Sequence, residues 1–201
     1  MPSALEAQLP GAPVLQNAFT NPGLTAAVNF SWNGDGSAYA GAAAWAPAGG
    51  RFQLSGGLGG FSPDGGGTMF AYGARVSLPL FSLLGGGLGV APFAGLGGAS
   101  GDSTSISYLP LGAGVGYRRG LGSRMGVSLF ATPFLLWARS SRTGEDAVKG
   151  GPRFRTSLGA DFSFTPKIGV TAGVELGQKP NEGKPGPSAS VFGLGLSYAF
   201  R

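Results

Sequence analysis

Cysteine and histidine are both missing from this chain of 201 residues. Without cysteine there is no disulfide framework, no thiolate metal site and no thiol redox chemistry. Without histidine the commonest general base is excluded. Charge is scarce as well: Asp, Glu, Lys and Arg make up 11% of the residues, against roughly 25% in soluble domains. Nor does any apolar run approach the ~20 residues of a spanning helix. The longest, around Leu78, Leu80 and Phe81, is short and interrupted by proline and serine. The formal charge of +5 is scattered over turns, with no basic run and no interleaved aromatic stripe, so nucleic acid is not an expected partner.

What the chain does have is glycine, 40 residues of it, together with 14 Phe, 5 Tyr and 3 Trp. The glycines follow no three-residue period, which excludes collagen. The aromatics argue against disorder, and glycine at this density is incompatible with helices. The expected class is therefore all-β.

Residues 1–23 read as an irregular leader, because Pro2, Pro10, Pro13 and Pro22 forbid a long strand or helix. From residue 24 the chain falls into alternating segments of about ten residues, each followed by turn residues. The segments are 24–33, 37–46, 51–62, 68–80, 87–99, 107–118, 124–138, 153–164, 168–177 and 188–200. About ten strands are expected, with eight as the alternative if two glycine-rich segments do not pair. The chain divides into the leader, 1–23, and a barrel, 24–201.

Two phases run through these segments. One carries large apolar side chains, such as Val28, Phe30 and Trp32. The other is small, with Gly57, Gly73, Gly97, Gly114, Gly173 and Gly193 among its members. A solvent-facing strand surface favours Thr, Lys and Glu, since glycine packs nothing. Small residues fit the concave inside of a narrow cylinder, so the bulky phase faces outward, where only lipid tolerates it. Aromatics on that phase gather near segment ends: Trp45, Tyr117, Tyr198 and Phe200 toward one rim, Trp32, Tyr39, Phe70 and Phe154 toward the other. Two such girdles suit a spanning barrel. The in-strand charges Arg75, Arg155, Asp161 and Glu175 all fall on the small phase, as expected when an Arg facing lipid at the midplane costs roughly 2–4 kcal/mol. The fold class expected is a transmembrane up-and-down antiparallel β-barrel.

The chain ends with Gly195, Tyr198 and Phe200, followed by Arg201. This resembles the assembly signal of bacterial outer-membrane barrels, and the chain is similar to small Gram-negative OmpA-like and OmpW-like barrels at the superfamily level. The resemblance implies export with a signal peptide that is absent here, recognition of the last strand by the barrel-assembly machinery, and a location in the outer membrane among its lipids. It also implies that the C-terminal end lies in the periplasm. The longer loops, 139–151 and 178–187, then fall outside the cell. A monomer is the expected state.

No catalytic constellation is legible, and the chain is expected not to be an enzyme. Outer-membrane proteases, lipid A acylases or deacylases and phospholipases resemble one another in needing histidine. A Ser–Lys dyad is disfavoured because Lys149, Lys167, Lys179 and Lys184 sit in loops, where burial does not depress an amine pKa. Glu145, Asp146 and Asp102 lack EF-hand spacing, so neither a metal nor a cofactor is expected. Asp161 and Glu175 read as members of a lumen charge network with Arg75 and Arg155. If the turn at 165–167 pairs Phe164 with Ile168, Glu175 lies opposite Ser157, with Arg155 as its diagonal neighbour. Phe61, Phe93, Phe130, Phe134 and Leu136 fall on the lumen phase as an apolar lining. Three functions remain: a narrow, porin-like pore or passive diffusion channel, which leads; a structural or surface-interaction barrel with a plugged lumen; and a carrier of small apolar compounds.

Overall fold

The structure, a computed structural model, describes residues 22–34, 36–83, 87–122, 124–178 and 189–200. The leader reading for 1–23 falls almost wholly outside these residues. Twelve strands are present: β1 (Gly23–Asn33), β2 (Gly36–Ala46), β3 (Gln53–Pro63), β4 (Met69–Ser77), β5 (Phe81–Leu83), β6 (Leu88–Ser100), β7 (Thr104–Leu121), β8 (Met125–Arg142), β9 (Val148–Lys149), β10 (Arg153–Ser163), β11 (Ile168–Gly177) and β12 (Ser190–Phe200).

They make ten staves, because β4 and β5 both pair with β6 and β9 is a short flap on β8. Each stave is antiparallel to its sequence neighbours, and β1 pairs with both β2 and β12, which closes the barrel. Closure leaves no free edge, so every stave finds backbone partners on both sides.

The segment expected as one strand over 68–80 is interrupted. Pro79 has no N–H to donate, and β4 stops at Ser77. The pairing nevertheless continues: Leu78 donates to the Pro92 carbonyl (2.9 Å) and Leu80 to that of Val90 (3.0 Å). A second difference concerns β7 and β8. Each has 18 residues, longer than the expected 107–118 and 124–138. Their hairpin runs past β6 at its turn end, where β6 starts opposite Tyr117, and past β10 at its open end, where β10 starts opposite Leu136. The loop expected over 139–151 is shorter too, since β8 runs to Arg142 and β9 pairs back onto Arg139 and Ser140.

The phases point as the small residues require. Leu58, Leu96 and Leu129 on the outer surface are 57–60% exposed. Burying one such side chain is worth about 1.5–3 kcal/mol, so an outward band of them is stable only against lipid. Trp45 and Phe52 meet at one rim, ring centroids 5.7 Å apart, and Trp32 and Phe192 stack at the other, 6.1 Å apart. Tyr198 and Phe200 meet edge to face at 5.0 Å on the rim where β12 ends.

Glycine also serves the outer face. Tyr39 lies opposite Gly60, and a Cβ at Gly60 would sit 2.7 Å from its hydroxyl oxygen. Tyr72 covers Gly98 in the same way. An aromatic ring laid over a cross-strand glycine restores the packing that the missing side chain forfeits.

Candidate functional site

The bore is the one place where the barrel gathers polar and charged side chains away from its outer surface. Its half toward the rim opposite Phe200 is apolar. Phe61, Phe93 and Phe134 are buried to 1–3% exposure, and Leu136 joins the same cluster with Met69 and Ala71. The Phe93 and Phe134 rings are 6.3 Å apart. Phe134 fits because it faces Gly112 across the β7–β8 pair. Phe130, the fifth residue expected in the lining, stands outside this cluster. It is buried over Gly159, its register partner toward the C-terminal rim, where a Cβ would strike its ring.

Ile106 and Tyr108 also belong to the apolar cluster, and the sequence reading missed both. With Leu109 and Leu111 on the opposite phase, alternation around residue 108 is ambiguous, and the strand was expected to start at 107. Arg153 was also missed, although it shares the phase of Arg155 and is buried.

The charged residues stand at more than one place on the inner wall. The β10–β11 register pairs Ser157 with Glu175 and Arg155 with Gly177. Arg155 Nε donates to Glu175 Oε1 in a buried ion pair. Gly177 makes this possible, since a Cβ there would lie 2.7 Å from the Arg155 stem. Thr132 and Ser157, on the same inner wall, are fully buried. Asp161 is two turns of the pleat further along β10 and accepts from Thr171 Oγ1 at 2.6 Å.

Arg75 stands apart on β4. Its guanidinium carbon lies 3.6 Å from the centre of the Phe93 ring, and its Nε donates to Ser77 Oγ at 3.1 Å. The residue is 3% exposed, and among the described residues Nη1 and Nη2 have no hydrogen-bond partner. A desolvated cation over an aromatic face gains about 2 kcal/mol, which does not replace two missing hydrogen bonds to a buried charge. The expectation that Arg75 belongs with Arg155, Asp161 and Glu175 is therefore corrected. The four share a phase, but Arg75 makes its own contacts.

Among the described residues no group of His, Cys, Asp or Glu side chains is arranged to hold a metal ion. The site offers hydrogen-bond donors, one ion pair and an apolar wall.

A closed ten-stave antiparallel barrel with an apolar exterior matches, over residues 35–200, the outer membrane protein beta-barrel domain. The chain belongs to that family. Its location is accordingly the outer membrane. Among solved structures, this outer-membrane barrel is similar to the β domain of the Bordetella autotransporter BrkA, with 16% identity and a TM-score of 0.51 over 90% of this chain and 100% of that one. It is also similar to LpxR from Salmonella typhimurium, with 11% identity and a TM-score of 0.49 over 88% of this chain and 100% of that one. The KdgM porin in complex with disordered oligogalacturonate has 12% identity and a TM-score of 0.45 over 88% and 99%. At these identities the likeness is one of fold. No curated protein sequence matches the chain.

Proposed function

We propose that this outer-membrane barrel is closed at rest and non-catalytic, a structural or surface-interaction barrel rather than an open diffusion channel. The observation that carries the reading is the sealed half of the bore. Phe61, Phe93 and Phe134 are almost wholly buried there, and Arg155 and Glu175 bridge β10 and β11 beside them. A water-filled pore leaves its lining side chains wet, and these are dry. The geometry thus favours the plugged reading over the narrow pore that glycine content alone suggests.

The non-catalytic part rests on the lack of histidine and on the engagement of both lumen carboxylates, Glu175 with Arg155 and Asp161 with Thr171. A carboxylate already serving as a structural acceptor is a poor proton shuttle. Outer-membrane lipids at the two girdles, and the assembly machinery at Gly195, Tyr198 and Phe200, are the partners that go with this reading.

Single-channel recording in planar bilayers tests it. The wild-type barrel is expected to show no steady open state, and the double variant Phe61→Ala/Phe134→Ala to gain conductance. A steady wild-type opening would support the narrow pore instead.

A further inference from the structure

Arg75 is the buried charge that neither the closed bore nor the ion pair accounts for. Its guanidinium is 3% exposed, and Nη1 and Nη2 lack partners among the described residues. The two lumen carboxylates are engaged elsewhere, Glu175 by Arg155 and Asp161 by Thr171. The other described carboxylates, Asp64, Asp102, Glu145 and Asp146, are exposed in loops. No described acidic group therefore neutralises this cation.

The surroundings have a definite chemistry. Phe93 covers one face of the guanidinium plane and Ser77 occupies Nε, so the hydrogen-bonding edge left over is the Nη1/Nη2 pair. That edge presents parallel N–H groups, the fork that matches the two oxygens of a carboxylate. The neighbouring strands contribute only small side chains at this level, since Arg75 faces Ser55 on one side and Gly95 on the other. Ser55 is partly buried, as are Ala44 and Thr25 along the same row toward the rim where β12 ends. On β4 and β6 the buried pair Ser77 and Phe93 lies between the guanidinium and that rim, so the row through Ser55 is the less buried side.

We infer that Arg75, with Phe93 as its backing, forms an anion site inside the bore that takes a small carboxylate. The carboxylate accepts from Nη1 and Nη2, and its carbon chain lies along the apolar wall. This goes beyond the closed-barrel reading and does not depend on it, because it rests on the contacts of Arg75 rather than on the seal of the bore.

The test uses the full chain folded in detergent micelles, with sodium acetate and sodium butyrate as probes and sodium chloride at equal ionic strength as control. Saturation-transfer NMR on the probe methyl groups reads binding directly, and the thermal midpoint of the barrel reads linkage. Saturable carboxylate binding is expected in the wild type. Arg75→Met should weaken it roughly tenfold to a hundredfold, the range for losing charge-assisted hydrogen bonds. Should Arg75→Met not fold, Arg75→Lys keeps the charge but not the fork and is expected to bind measurably more weakly. Ser163→Ala, distant on the rim, should leave binding unchanged. Two results would overturn the proposal: no saturable binding in the wild type, or equal binding by Arg75→Met. Conductance plays no part in these readouts, so their failure is distinct from failure of the closed-barrel reading.

Discussion

Removing one partner of the ion pair between Arg155 and Glu175 should be among the most damaging polar changes in this barrel. The side chains are 0% and 3% exposed, so the near-zero worth of surface ion pairs does not apply. Arg155→Met leaves the Glu175 carboxylate charged in a dry wall, and Glu175→Leu leaves the guanidinium charged without that carboxylate. Each should cost about 3–5 kcal/mol, the usual penalty for stranding one member of a buried pair. That is a fifth or more of a typical folding free energy of about 5–15 kcal/mol. Replacing both, as Arg155→Met/Glu175→Leu, removes the stranded charge and should cost far less than the two single losses added together. The assay is urea-dependent folding into lipid vesicles, followed by tryptophan fluorescence, run as a double-mutant cycle. Because the pair is buried, the coupling should barely change between low and high salt. Additive single losses below about 1 kcal/mol, the range of exposed pairs, would refute the reasoning.

Other outcomes follow from the packing. Gly159→Ala should lose about 1–3 kcal/mol through overpacking, because its Cβ would strike the Phe130 ring and lie 2.6 Å from the Ala172 carbonyl oxygen; equilibrium unfolding in lipid checks this. Trp45→Ala and Tyr198→Ala should each destabilise the inserted barrel more than Ser163→Ala does, since interfacial rings anchor at head groups; equal and negligible losses would count against the girdles. Phe61→Ala/Phe134→Ala should open the bore, read as new conductance without loss of the heat-resistant folded band on a gel.

Much of this architecture is legible in the residues, and what is not has a physical reason. Alternation assigns each side chain to the lumen or the lipid, so the inward direction of Arg75, Asp161 and Glu175 follows from parity alone. A tight turn also fixes register, which is why the short link at 165–167 suffices to set Glu175 opposite Ser157. Parity does not say how far one stave is staggered against a distant one. Arg75 on β4 and Arg155 on β10 therefore look like members of one network, although the first sits over Phe93 and the second on Glu175. The extent of the β7–β8 hairpin is hidden for a different reason. Arg119, Arg139 and Arg142 read as loop residues by composition, yet backbone pairing carries the strands through them. Glycine likewise has two meanings that composition cannot separate: Gly57 and Gly73 face the bore, whereas Gly60 and Gly98 lie under tyrosines on the outer surface.

The direction of the apolar face is the central claim, and the tryptophans report on it. All three, Trp32, Trp45 and Trp137, lie on the outward phase near the rims. Folding the barrel into vesicles of brominated phospholipids and reading tryptophan quenching tests this directly. Strong quenching is predicted, greater when the bromines sit near the head groups than when they sit at the chain ends. Unquenched tryptophans, with a chain that stays monomeric and folded in plain buffer, would contradict a lipid-facing apolar surface.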